Sequence, residues 1–323
     1  MMKPLENCRV LVTPTSYGVQ DETLRPYLES QVGEVIYNTS GKPLSAGQLI
    51  DMLVGVDGYI AGLDEISADV LRSASSLKVI ARYGVGYNNV DLRAAESLQI
   101  AVTNTPGANA RSVAELAVAL MLDLMRPVIP ANAQTRAGGW PRFKGLSLEG
   151  KTVGLIGLGA IGKETARRLA GFDCRILAYD PYPDASFAEA NGVEFVELDA
   201  LLGAADVVSL HLPGVHETAG MVNDGFLSKM KPGALLVNTA RGELLDEAAV
   251  VRALESGHLR GAALDVFSQE PPGADNPLLA FEQVIATPHM GAHSDSATNN
   301  MGWMATRDCL AVLKGEQPQY RIV

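Results

Sequence analysis

Gly157-Leu-Gly159-Ala160-Ile161-Gly162 closes the apolar run Thr152-Val-Gly-Leu-Ile156 and opens the helix-like segment Lys163-Glu-Thr-Ala-Arg-Arg-Leu169. A second apolar run, Cys174-Arg-Ile-Leu-Ala-Tyr179, ends in Asp180. Strand, glycine turn, helix, strand and terminal acid thus follow one another within about 30 residues, the order that binding a dinucleotide requires. Gly157 allows the tight turn, Gly159 lets backbone approach a pyrophosphate, and Gly162 lets helix and strand pack closely. The helix N-terminus, beginning at Ala160 and Ile161, offers unpaired N–H groups and a partial positive charge to the phosphates. Asp180 lies 180 − 162 = 18 residues past the last glycine, where a carboxylate can accept from both ribose hydroxyls. Its charge disfavours a 2′-phosphate, and Pro181-Tyr-Pro-Asp184 adds an acid and no arginine, so the expected cofactor is NAD rather than NADP.

Outward from this turn, short apolar runs alternate with helical patterns in both directions. Before it lie Arg9–Thr13, Glu34–Tyr37, Gly58–Ala61 and Lys78–Arg82, with helical stretches over Glu22–Glu29, Ala46–Leu53 and Ala68–Arg72 between them. After it come Val193–Val196, Asp206–His211, Ala234–Asn238, Gly261–Asp265 and Gln283–Ala286, then a long helical tail over Ser294–Leu313. Strands separated by helices pair in parallel through right-handed crossovers. The expected fold class is therefore α/β, two Rossmann-like or flavodoxin-like doubly wound domains, the first a separate unit of about 100 residues.

Between the units, Ser112-Val-Ala-Glu-Leu-Ala-Val-Ala-Leu-Met-Leu-Asp-Leu-Met125 is an apolar helical stretch. Arg126-Pro-Val-Ile-Pro-Ala-Asn and Ala137-Gly-Gly-Trp-Pro-Arg-Phe143 follow it. This region reads either as an interdomain linker whose helix packs on the core, or as an arm that reaches a second subunit. Trp140 and Phe143 in a loop are costly to leave in water.

The chain has 323 residues, 47% of them hydrophobic and 20% charged, enough to build a sizeable core. A net charge of −11 argues against a nucleic-acid or anionic-membrane surface, while an anionic small molecule needs only a local basic pocket. Cys8, Cys174 and Cys309 are scattered and lack metal-ligand spacing, so no metal site is expected and a reducing compartment is. The N-terminal stretch Met1–Arg9 has no apolar leader pattern, and Val113–Met125 is too short to span a bilayer and carries Glu115 and Asp123. A cytoplasmic protein is expected.

Three further segments follow apolar runs, where doubly wound sheets bind ligands. Val237-Asn-Thr-Ala-Arg-Gly242, Leu264-Asp-Val-Phe-Ser-Gln-Glu-Pro271 and Ala286-Thr-Pro-His-Met-Gly-Ala-His293 place Arg241, Glu270 and His289 at strand exits. Singly, each is readily a structural residue. Together they suit hydride transfer to a 2-keto acid. That reaction needs a cation for carbonyl and carboxylate, an imidazolium to protonate the keto oxygen, and a carboxylate to orient and charge the imidazole.

With Arg82-Tyr-Gly-Val-Gly-Tyr-Asn-Asn-Val-Asp91, Asn104-Thr-Pro-Gly107, Ser112-Val-Ala-Glu115, His211-Leu-Pro213, Asn238-Thr-Ala-Arg-Gly242, Leu264-Asp-Val-Phe267 and Pro288-His289, the chain resembles the D-isomer-specific 2-hydroxyacid dehydrogenases over essentially its whole length. The resemblance implies Arg241 as substrate clamp, His289 as general acid/base and Glu270 as its partner. It implies cofactor contacts from Leu212, Pro213, Thr239, Ala240 and Ala292, with Asp265 near the nicotinamide carboxamide. It also implies that the Val85 and Gly86 amides hold the substrate carboxylate, with Ser16, Tyr17 and Arg82 at the substrate mouth.

The family's chain crosses between domains twice. That predicts a substrate domain of 1–106 completed by 293–323, an NAD domain of 107–292, and an active-site cleft between them. Its arm, about 112–143, embraces a partner subunit, which favours a homodimer with Trp140 near the partner. Within the family the likeness is to D-3-phosphoglycerate dehydrogenase without a C-terminal regulatory domain. Gly62-Leu-Asp-Glu65, however, offers acids where that branch carries an arginine. Phosphate binding would then fall to Arg82, with Arg136, Arg142 or Lys144 lent by the arm. A hydroxypyruvate or glyoxylate reductase is the alternative enzyme, and an NAD(H)-sensing corepressor-like scaffold is the alternative of another class.

Overall fold

The computed structural model describes residues Lys3–Val323; Met1 and Met2, the start of the stretch read for a leader, lie outside the described residues. The chain forms two units, one running to Asn109 and resuming at Ala292–Val323, the other Ala110–Gly291. Residues 107–109 go with the first unit because their approach is bonded there: the Thr105 amide donates to Gly84 O at 3.0 Å and Asn104 Nδ2 to Val85 O at 2.8 Å. Ala292 likewise falls in the first unit, not at the end of the second.

The first unit is a five-stranded parallel sheet built from β1 (Arg9–Val12), β2 (Glu34–Tyr37), β3 (Gly58–Ala61), β4 (Val79–Arg82) and β5 (Ala101–Thr103), in the order β2-β1-β3-β4-β5. β3 and β4 are buried throughout, as strands covered on both faces must be. Helices begin at side-chain caps: Ser45 and Gln48 form a capping box, and Ser67 and Asp91 accept from the amides three residues on. The helix Leu92–Ser97 and strand β5 are absent from the sequence reading; both are too short to show a period. The long helix Asp295–Lys314 returns to pack on this sheet, and Met301, Ala305, Cys309, Leu310 and Leu313 complete one apolar layer with Val10, Val12 and Ile60. The tail then bonds to β5, with the Ile322 amide donating to Val102 O at 2.8 Å.

The second unit is a seven-stranded parallel sheet. Its strands are β6 (Thr152–Ile156), β7 (Arg175–Tyr179), β8 (Val193–Phe195), β9 (Val207–Leu210), β10 (Ala234–Asn238), β11 (Leu259–Leu264) and β12 (Val284–Ala286). The order β12-β11-β10-β9-β6-β7-β8 reverses direction between β6 and β9, and a doubly wound sheet opens a ligand crevice at such a point. Apolar layers cover both faces.

The helix Ala110–Met125 belongs to the second unit, and its Ala117, Leu120 and Met121 join one of those layers. The segment after it begins with a helix over Val128–Arg136. Pro130 is tolerated there because a first-turn residue has no intrahelical N–H bond to lose. Beyond it Trp140 is 84% exposed and Phe143 43%. The chain rejoins the fold where the Leu146 amide donates to Met125 O at 2.7 Å.

Candidate active site

Register in the second sheet lines up the residues that follow its strands. Tyr179 pairs with Ile156, Ile156 with Leu210, Leu210 with Asn238, Asn238 with Leu264, and Leu264 with Ala286. One residue further on, Asp180, Gly157, His211, Thr239, Asp265 and Thr287 therefore form a single row along the carboxyl edge.

Each glycine of the turn is required for a different reason. Gly157 has φ +95°, and a Cβ there would meet His211 O at 2.7 Å. A Cβ on Gly162 would run into the Gly157 carbonyl, so the helix Ala160–Leu169 sits flush against the turn. A Cβ on Gly159 would meet nothing within 4 Å, and that open space lies at the helix N-terminus. Asp180 does more than the spacing implies: Oδ2 accepts from the Leu158 amide at 2.7 Å and Oδ1 from the Tyr182 amide at 2.8 Å. It braces the turn and still has lone pairs for ribose hydroxyls.

Beside the turn, His211 Nε2 lies 3.1 Å from the buried Ser209 Oγ, while His211 Nδ1 and Thr239 Oγ1 are buried without a hydrogen-bond partner. Removal from water holds the His211 imidazole down to about 4, so it is neutral at physiological pH. Unbonded polar atoms beside an open, helix-capped glycine turn fit a polar ligand laid along this edge. His211 is not among the site residues expected from the sequence, although it ends an apolar run and opens the His211-Leu-Pro213 motif. Leu212 and Pro213 continue from it, and Ala240 donates its amide to Asn238 Oδ1 at 3.0 Å, shaping the turn into Arg241.

Asp265 is 1% exposed and organises the turn that carries the histidine. Its Oδ1 accepts from Thr287 Oγ1 at 2.6 Å and the Met290 amide at 2.9 Å, its Oδ2 from the Gly291 amide at 2.9 Å, and its carbonyl from the His289 amide at 2.8 Å. These bonds over-determine the left-handed conformation of His289, φ +50°, which a non-glycine residue adopts only when held. Ser112 Oγ ties the same turn to the helix Ala110–Met125 through Gly291 O at 2.7 Å.

His289 Nδ1 stands 2.7 Å from Glu270 Oε2, and both side chains are about one-third exposed (33% and 36%). Burial raises the Glu270 carboxyl, but the His289 bond and charge, the Phe267 amide and the Arg241 charge outweigh it and hold the group below its ordinary value. Arg241 reaches this neighbourhood because Gly242 has no side chain: a Cβ there would overlap the Phe267 backbone. Arg241 Nη1 donates to Ala240 O at 2.6 Å, and its aliphatic stem lies against Gly214.

The expected substrate residues occupy the carboxyl edge of the first sheet. Val85 and Gly86 are partly exposed in the loop after β4. Ser16 Oγ donates to Tyr83 Oη at 3.2 Å. Tyr17 is instead a core residue, fully buried with its hydroxyl 2.6 Å from Thr306 Oγ1, so it does not line a mouth. Arg82 is also buried, 5% exposed. Nη1 donates to Ala61 O at 3.1 Å and Tyr83 O at 3.0 Å, and Nε to Asn89 Oδ1 at 3.1 Å. It braces the loop that bears Val85 and Gly86.

A family model described as D-isomer specific 2-hydroxyacid dehydrogenase, NAD binding domain, matches residues 118–291. The glyoxylate reductase of Thermofilum pendens is 41% identical over 293 residues, 88% of this chain and 86% of that one. The D-3-phosphoglycerate dehydrogenase of Archaeoglobus fulgidus is 43% identical over 253 residues, 78% of this chain but 48% of that one; the chain spans about half the length of such relatives. Among solved structures, the TT0316 protein of Thermus thermophilus aligns with TM-score 0.88 and 39% identity, over 98% of this chain and 100% of that one. Matched in sequence across most of its length and in fold across nearly all of it, the chain belongs to the D-isomer-specific 2-hydroxyacid dehydrogenase family.

Proposed function

We propose that the protein is an NAD-dependent dehydrogenase interconverting a small D-2-hydroxy acid and its 2-keto acid. The observation that carries this reading is the Glu270–His289 contact, on the same sheet edge as the dinucleotide turn and within the electrostatic reach of Arg241. Bound nicotinamide supplies or accepts the hydride. With Nδ1 directed at Glu270, His289 is left with Nε2 to give a proton to the keto oxygen in reduction and to take it back in oxidation. Arg241 polarises that oxygen and grips the carboxylate with its planar fork.

The exposed Trp140 and Phe143, with Val128 and Ile129 before them, support an arm that covers a second subunit in a homodimer. The three cysteines are unpaired, two of them buried, which supports a reducing, cytoplasmic setting. Among the described residues no helix is long and apolar enough to cross a membrane.

The test is NADH oxidation against a panel of 2-keto acids, with the Arg241→Lys variant alongside. Lysine keeps the charge and loses the fork, so kcat/KM should fall by about a hundredfold while NADH affinity and Tm hardly move. A lysine variant that keeps most activity removes Arg241 from the chemistry. A parent protein that binds NADH and turns over no keto acid removes the reading.

A further inference from the structure

Glu270 meets the histidine from a loop that has little of its own to hold it. Phe267 and Leu278 are buried, but none of residues 268–277 between them is. No apolar side chain of this stretch is drawn into the core, so its position depends on polar bonds. The Phe267 amide, donating to Glu270 Oε1 at 3.2 Å, supplies one of them.

Both ends of the loop are joined to a single carboxylate. Glu247 Oε1 accepts from the Ser268 amide at 2.8 Å and from Ser268 Oγ at 2.7 Å, and Oε2 accepts from Asn276 Nδ2 at 3.0 Å. Glu247 opens the helix Glu247–Glu255, where an acid ordinarily serves the helix terminus. Here the capping falls to its neighbour, since Asp246 Oδ1 accepts from the Ala249 amide at 3.1 Å. Both Glu247 oxygens are instead committed to residues 21 and 29 positions further along the chain. The segment leading into this helix begins at Arg241. A Cβ on Gly242 would overlap the Phe267 carbonyl group and crowd the Ser268 nitrogen, so the two segments also touch there. Two separate strand exits, after β10 and after β11, are thus fastened together beside the residues that carry the charge.

We propose that Glu247 is a positioning residue for the reaction. It staples the Ser268–Asn276 loop to the segment that bears Arg241, and so sets where Glu270 stands relative to His289 and Arg241. Its effect passes through Glu270, and a misplacement of about 1 Å at such a group costs about a hundredfold in rate. The inference rests on the dehydrogenase reading and adds to it a residue outside the reacting groups.

The experiment measures kcat, KM, the Kd for NADH and Tm in the parent and in Glu247→Ala, Glu247→Gln and the double variant Glu247→Gln/Asn276→Asp. The substrate is whichever of glyoxylate, pyruvate, hydroxypyruvate and 3-phosphohydroxypyruvate the parent reduces fastest. Glu247→Ala releases both ends of the loop and should lower kcat by about tenfold or more. NADH affinity should hold, because the glycine turn lies between β6 and the helix Ala160–Leu169. Glu247→Gln sets an amide donor against Asn276 Nδ2, which cannot turn round because Asn276 Oδ1 accepts from the Leu278 amide at 3.0 Å. It should lose less than Glu247→Ala. The double variant reverses the polarity of that contact at unchanged net charge, and kcat should return to within about threefold of the parent. A merely structural role would lower Tm and leave kcat of the folded enzyme alone. Parental kcat in Glu247→Ala overturns the proposal, and so does a double variant no faster than Glu247→Gln. Should Glu247→Ala fail to fold, the glutamine variant and its reversed pair decide. If the parent binds NADH and reduces none of the four acids, the dehydrogenase reading fails and the role of Glu247 falls with it.

Discussion

Glu270 grips His289 Nδ1 with one carboxylate oxygen, Oε2 at 2.7 Å, and the Phe267 amide with the other, Oε1 at 3.2 Å. The carboxylate is thus fixed by its own loop before it orients the imidazole, and the ring cannot turn without breaking a charged hydrogen bond.

Replacing Glu270 with Gln keeps the shape and removes the charge on the carboxylate that holds the His289 ring. Keto-acid reduction should drop by about tenfold to a hundredfold near neutral pH. Steady-state rates measured with chemistry rate-limiting check this, and an unchanged rate would take Glu270 out of the mechanism. Stability should respond as well. Because the folded carboxyl lies below its ordinary value, its contribution is present above that value and is lost as the pH falls through the depressed one.

Asp180 both braces the glycine turn and faces the expected ribose site, so Asp180→Ala should act on both. NADH affinity should fall by about tenfold or more, since two backbone amides and the ribose lose their acceptor. Discrimination against NADPH should narrow, because the charge opposing a 2′-phosphate is gone. Fluorescence titration with the two reduced cofactors reads this directly. Equal affinity of the parent for both would contradict the assigned role.

His211 should make stability depend on pH in a defined window. Its folded value of about 4 lies below that of an exposed histidine, so between about 4 and about 6.5 the unfolded chain binds the extra proton. Stability should therefore rise with pH across that window, by about 1–3 kcal/mol from this group. Urea unfolding of His211→Asn at a series of pH values should show the slope reduced; the parent's slope would mean that the ring is not desolvated.

The exposed arm should mediate association. Light scattering should give a dimer at working concentrations, and Trp140→Ala should raise the dissociation constant by about tenfold or more, with the helical signal of the protomer preserved. A parent that is monomeric throughout refutes the arm's role.

Much of this was legible in the sequence where the cause is local. The glycine turn could be read residue by residue, because a tight turn, a close approach and an open cradle each demand the same small residue in a different place. The parallel sheets followed from apolar runs spaced by helical patterns. Orientation was not legible. Arg82 reads as a cation at a strand end, but whether it turns outward depends on buried carbonyls contributed by Ala61 and Tyr83. Tyr17 looks like a loop aromatic until Thr306, nearly three hundred residues away, is found to hold its hydroxyl. The Asp180 bond to Leu158 depends on the pairing of β6 with β7, and the row containing His211 and Thr239 exists only through sheet register. Two prolines concealed the helix Val128–Arg136, although one precedes it and the other lies in its first turn.

The discontinuity of the first unit bears on the order in which the protein is made. One apolar layer of its sheet is closed by Met301, Ala305, Cys309, Leu310 and Leu313, which are synthesised only after the whole of the second unit. The second unit, Ala110–Gly291, is continuous and has all its strands available earlier. Biosynthesis should therefore invert the usual amino-terminal-first sequence. The dinucleotide unit settles while the earlier strands wait with one face uncovered, and during that interval the nascent chain is most open to chaperones and most prone to aggregate.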